Sequence, residues 1–144
     1  MKEFIYAAAA LVGASVAAAF GGWTNAMTTL LVFMAIDYVS GIICAAVFKR
    51  SPKTENGALE SRAGWKGLIR KGMTLLVVLI AARIDLLLGT TYFRDGCCIA
   101  FILNELLSII ENAGIMGVPI PPVIKKAIEI LKNKADAEDD GKEE

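Results

Sequence analysis

The chain has 144 residues, 56% of them apolar and 21% charged, with a mean hydropathy of +0.56. A soluble domain would carry about 45–50% apolar and about 25% charged residues; with its charges clustered as well, this composition excludes an ordinary soluble core and indicates an integral membrane protein. Lys and Arg number 15 and so do Asp and Glu, but the signs are segregated, basic between Lys49 and Lys71 and acidic at the C-terminal end.

Residues 4–22 form the first predicted span, free of charge and rich in alanine. Ala9, Gly13 and Ala17 recur every fourth residue, and small residues on one helix face let a neighbouring helix approach closely in lipid. A cleaved signal peptide is the alternative, with Lys2 opening it and Ala17-Ala18-Ala19 resembling a cleavage site. The leucine-rich centre of such a signal is missing. The second predicted span, 26–48, is interrupted only by Asp37 and contains Gly41 as a further packing residue. A basic loop follows over 49–71, carrying Lys49, Arg50, Lys53, Arg62, Lys66, Arg70 and Lys71.

The third predicted span, 72–92, holds Arg83 and Asp85, and the fourth, 97–117, stops before the prolines of "PIPP" at 119–122. Ile120, Ile124, Ile128 and Leu131 then recur at helical spacing, opposed by Lys125, Lys126, Glu129 and Lys132. This predicts an amphipathic helix over 118–134 lying on a membrane surface. The tail 135–144, "ADAEDDGKEE", reads as a disordered acidic run. The expected fold is therefore all-α and integral to the membrane, a four-helix bundle followed by an amphipathic helix. Because basic loops stay in the cytoplasm, both termini are expected inside.

There is no histidine, and Cys44, Cys97 and Cys98 fit neither a disulfide framework nor a zinc spacing. They read as small buried hydrophobes. Without a catalytic, phosphate-binding or metal motif, neither an enzyme nor a cofactor, metal or nucleic-acid site is expected.

What remains to explain is polarity inside the spans. Counted from Lys49, Lys71 and Arg94 at the helical rise, Asp37, Arg83 and Glu105 each lie about 16–18 Å deep, near the middle of a core about 30 Å thick. Each isolated charge there costs about 3 kcal/mol on insertion scales, so an Asp37–Arg83 or Glu105–Arg83 pair is expected. Asp85 and Glu111 complete this charge network. Asn104, Glu105, Ser108, Glu111 and Asn112 share one face of the fourth span, an arc of about 120°. Such a stripe serves either as interhelical glue or as a face that turns to water when subunits assemble.

Three segments carry a resemblance. "FILNELLSIIENAGIMGVPIPPVIKKAIEILK" (101–132), "DYVSG" (37–41) and "SRAGWKGLIRKG" (61–72) with the later Asp85 resemble the signatures of the toxin-secretion and phage-lysis holin family. Members of that family are often described with three spans. The resemblance implies a homo-oligomer in the bacterial cytoplasmic membrane whose lesions release an endolysin or a large toxin; from its depth and helical position, the 104–112 stripe is then the expected lesion lining. Two other classes use the same residues differently. A small proton-coupled transporter or ion channel would use Asp37, Arg83 and Glu105 as a relay, and a membrane anchor would need only the basic loop and tail.

Overall fold

The computed structural model describes residues 1–140; among these there are five α-helices and no strand. Helix α1, Lys2–Ala19, follows from its alanine content, alanine being the best helix former. It ends where Gly21 and Gly22 take positive φ and return their N–H groups to Ala18 and Ala17 at 3.0 and 2.9 Å. Thr24 opens α2, Asn25–Ile43, by accepting the Met27 N–H at 3.3 Å. A π-helical turn, Cys44–Phe48, extends α2 until Lys49 adopts φ 50 and ends it.

The chain then folds back on itself. Ser51 donates its N–H to Gly57 at 3.0 Å, and Gly57 has φ +76. A Cβ there would stand 2.3 Å from the Lys49 carbonyl oxygen, so only glycine lets the two backbones pass. Helix α3, Ser61–Leu88, starts well inside the expected basic loop, which is thereby shortened to 49–60. Gly64 and Gly67, the weak helix formers in this stretch, face Tyr38 of α2, where a Cβ at Gly64 would meet the tyrosine hydroxyl at 3.4 Å. The glycines allow close approach of two helices rather than marking a loop.

Helix α4, Tyr92–Ile115, begins earlier than expected because Asp85 accepts the N–H groups of Phe93 and Arg94 at 3.2 and 2.8 Å, satisfying donors of its first turn. Helix α5 spans Pro122–Asp140. It continues through the first part of the acidic run expected to be disordered; residues 141–144 lie outside the described residues.

Among the described residues, three helices are long and apolar enough to cross a membrane: Lys2–Ala19, Asn25–Phe48 with the π turn included, and Tyr92–Ile115. The expected third span, α3, does not join them because Lys71, Arg83 and Asp85 all fall within its most apolar stretch. The core is small. Met27, Leu30 and Met34 of α2 meet Val78 of α3 and Cys98 and Ile102 of α4. Most large apolar side chains instead point outward, among them Phe4, Leu11, Val39, Ile80 and Leu87. An apolar exterior of this extent is suited to lipid.

Helix α1 stands apart, with no buried residue. Ala9 and Gly13 are exposed, Gly13 has open space around it, and Ala17 is half-buried. By contrast Gly41 packs inside, 3.9 Å from both the Asn112 amide and the Lys53 ammonium as measured from an added Cβ.

Candidate functional site

Three helices each contribute one polar face to a common point. In α2, Asp37, Ser40, Gly41 and Cys44 are spaced i, i+3, i+4, i+7 and share a face. In α4, Cys98, Ile102, Glu105 and Asn112 do the same, apolar at one end and polar at the other. In α3, Lys71 lies in phase with Val78, Ala82 and Asp85, which are all buried. Packing the apolar parts of these faces brings the polar parts together.

The centre is Asp37, only 4% exposed. Its Oδ2 lies 2.8 Å from Lys71 Nζ and 3.7 Å from Lys53 Nζ. Its Oδ1 accepts from Ser108 Oγ at 2.5 Å and from Asn112 Nδ2 at 3.3 Å. Lys71 Nζ also donates to Glu105 Oε2 at 2.5 Å. Asn112 donates further to Ser40 Oγ at 2.8 Å, and its carbonyl accepts the Cys44 thiol at 3.5 Å. Two carboxylates therefore face two ammonium groups, one nearly enclosed and one, Lys53, half in solvent. Buried ions of this kind are tolerated only when charge and hydrogen bonds are both completed, and here they are.

Arg83 is not part of this cluster. It is exposed and makes none of the expected pairs with Asp37 or Glu105. The reason is rotational: Arg83 follows Lys71 by twelve residues, which turns it about 120° away from the lysine's face. Asp85 is also separate. It accepts from Thr90 Oγ1 at 2.6 Å and from the two α4 amides, which makes it a helix cap rather than a charge partner. Lys71 belongs to the cluster and so is no surface marker. Asp37 lies about 18 Å from the start of α2 and Glu105 about 20 Å from the start of α4, which leaves the cluster near mid-bundle.

The expected polar stripe of α4 is split. Glu105, Ser108 and Asn112 turn inward to Asp37 and Lys71, while Asn104 and Glu111 are exposed. These two line an open groove of ≈ 360 Å³ together with Arg70, Thr74 and Leu107. Among the described residues, no group of three Cys, Asp or Glu side chains is arranged to hold a metal.

Sequence reasoning missed the lysines of the cluster and the part played by Arg94. Lys71 was detectable from its phase with Val78, Ala82 and Asp85. Lys53 had no local signal, since it arrives through the turn at Gly57. Arg94, 7% exposed, sends Nη1 to the carbonyl oxygens of Phe20, Gly21 and Gly22 at 3.0, 3.2 and 3.3 Å. Its Nε meets Asp95 at 3.1 Å. A cation placed there complements the negative end of α1.

The family model described as the bacteriophage holin family matches residues 14–133. A 14.9 kDa protein of Clostridium perfringens, named as uncharacterized and lying in the nagH 3' region, is 40% identical over 117 residues, covering 80% of this chain and 83% of that one. The Halalkalibacterium halodurans protein BH0965 is 36% identical over 138 residues, covering 92% and 96%. A protein of Bacillus phage phi105 named "Probable holin" is 34% identical over 116 residues, covering 80% of each chain. No solved structure matches.

Proposed function

The chain belongs to the bacteriophage holin family, and from that membership we propose that it accumulates in the bacterial cytoplasmic membrane and then assembles, copy on copy, into lesions. Through them an endolysin, or a large toxin without a signal peptide, leaves the cell. Four crossings with the N-terminus and the α4–α5 turn in the cytoplasm fit this reading, α3 crossing with its charges turned to protein or to other copies.

The observation that carries it is the buried, mutually satisfied polar cluster between α2, α3 and α4, set within a largely apolar exterior. With Asp37, Lys71, Glu105, Ser108 and Asn112 satisfying one another, the packed helices of a single copy leave no lumen. The groove of ≈ 360 Å³ would hold about a dozen waters at about 30 Å³ each, far short of a folded enzyme. Passage of protein therefore requires many copies. The cluster is the element that holds α2, α3 and α4 in the harmless form. Asn104 and Glu111, already open to solvent, begin the wet side of the lesion, and Ala9, Gly13 and Ala17 of α1 supply close contact to another copy.

Expression of the chain alone should stop growth and collapse the membrane potential abruptly after a delay. Co-expression with a cytoplasmic endolysin that lacks a signal peptide should give sudden lysis. If the endolysin stays inside at every level of expression, the lesion reading is wrong.

A further inference from the structure

Helix α5 does not lie apart from the bundle. It packs against α4, and Leu131 reaches the core cluster of Met27, Leu30, Val78, Cys98 and Ile102. Leu131 comes nine residues after Pro122, about 13 Å along the helix, while Ile102 precedes the end of α4 by about 20 Å. After the short turn at 116–121, α5 thus runs back beside α4 instead of leading away from it. The half-buried residues agree: Ile128, Leu131 and Ala135 recur on one face. The rest of the helix surface carries Lys125, Lys126, Glu129, Lys132, Lys134 and Asp136, all exposed, interrupted by exposed Val123 and Ile130.

This placement sets a condition. Helix α4 is one of the membrane-crossing candidates, and Lys132 sits beside its middle. Charges at that depth are found facing protein or a water-filled cavity, not hydrocarbon. Among the described residues, none covers the outer face of α5. Meanwhile three residues of the α4 stripe are turned inward to Asp37 and Lys71, so α4 alone offers little polar surface to water.

We propose that α5 stays seated on α4 within the assembled lesion and that its charged face forms the aqueous wall. This rests on the lesion reading above and adds the surface that the lumen touches. An amphipathic helix folded back along a span gives each copy an apolar side toward the bundle and a charged side toward water.

The test uses the full chain in vesicles loaded with a folded protein cargo, with release of the cargo as the measure of lesions. Cys44, Cys97 and Cys98 are changed to Ala, and spin labels are placed at Tyr92→Cys and Lys134→Cys. With α5 seated on α4, the labels should stand about 20 Å apart; with α5 lying on the membrane surface beyond the α4–α5 turn, more than about 35 Å apart. In cargo-releasing vesicles we expect the short distance, and the Lys134 label should be relaxed by a water-soluble nickel chelate more than by oxygen. A long distance overturns the proposal, and so does a short distance with preferential relaxation by oxygen. Either result leaves the lesion reading standing. Unmodified protein that releases no cargo rejects the lesion reading, and this inference with it. If the labelled chain alone is inactive, Asn133→Cys replaces Lys134→Cys, with the same two distances deciding.

Discussion

Lys71 and Asp37 are 34 residues apart in sequence and 2.8 Å apart in space, joined by an ion pair in which both side chains are largely withdrawn from solvent. Because Lys71 also holds Glu105, it neutralises carboxylates from two different helices. Lys71→Met would leave both acids with only the half-exposed Lys53 nearby. Removing one partner from a buried pair costs about 3–5 kcal/mol. Thermal unfolding in detergent should show the loss, and the protein should accumulate poorly in membranes. The exchange Asp37→Lys with Lys71→Asp should recover part of the stability lost by Asp37→Lys alone. A Lys71→Met protein as stable as the original would mean that the cluster does not hold the helices together.

Arg83 provides the contrast. Since it lies outside the cluster, Arg83→Leu should leave accumulation unchanged or raise it, within about 0.5 kcal/mol in detergent where no lipid penalty enters. The exchange Asp37→Arg with Arg83→Asp should be no better than Asp37→Arg alone. Recovery in that double variant would place Arg83 beside Asp37 after all.

At the other end of the bundle, Arg94→Ala removes the guanidinium from the carbonyls of Phe20, Gly21 and Gly22. The loss should be about 1–2 kcal/mol, as for a partly buried cation at a helix C-terminus. Local motion should increase more than global unfolding, seen as faster proteolysis between residues 20 and 24 and a more mobile spin label on α1. Arg94→Lys should rescue little, because a single ammonium lacks the planar fork that serves α1 and Asp95 together. Full rescue by lysine would reduce the contact to simple charge.

Reporter fusions decide the number of crossings. Reporters after Lys53 and after Gly117, in the α4–α5 turn, should read cytoplasmic, and one between Gly22 and Thr24 should read external. An external reading after Gly117 would mean an odd number of crossings, with α3 the helix that fails to cross, since its charges set it apart from the others.

The helical, membrane-embedded character of the chain was readable from sequence because α1, α2 and α4 are long runs of apolar residues whose interruptions are few. The start of α3 was not, because Arg62, Lys66 and Arg70 look like a cytoplasmic loop and nothing local says that Gly64 and Gly67 face Tyr38. Asp37, Glu105, Ser108 and Asn112 announced themselves by polarity in apolar surroundings. Their cation did not: a lysine at the edge of an apolar run marks a membrane boundary as readily as a buried partner, and only its phase with Val78 and Asp85 tells the two apart. Asp85 was misassigned for the opposite reason. A carboxylate a few residues before a helix start can cap it, and that use depends on a turn whose shape emerges only with the coordinates.

The order of the residues along the chain also sets a timetable. Asp37 is synthesised before Lys71 by 34 residues and before Ser108 by 71. At about 5–20 residues per second, its lysine arrives roughly 2–7 s later and its hydroxyl donor roughly 4–14 s later. Asp85 needs no such interval, since Thr90 and Arg94 follow almost at once. During biosynthesis the α3–α4 turn can thus close as soon as it leaves the ribosome, while α2 must wait for a hairpin made after it. Until then the Asp37 carboxyl lacks the Lys71 and Ser108 partners that it has in the folded chain.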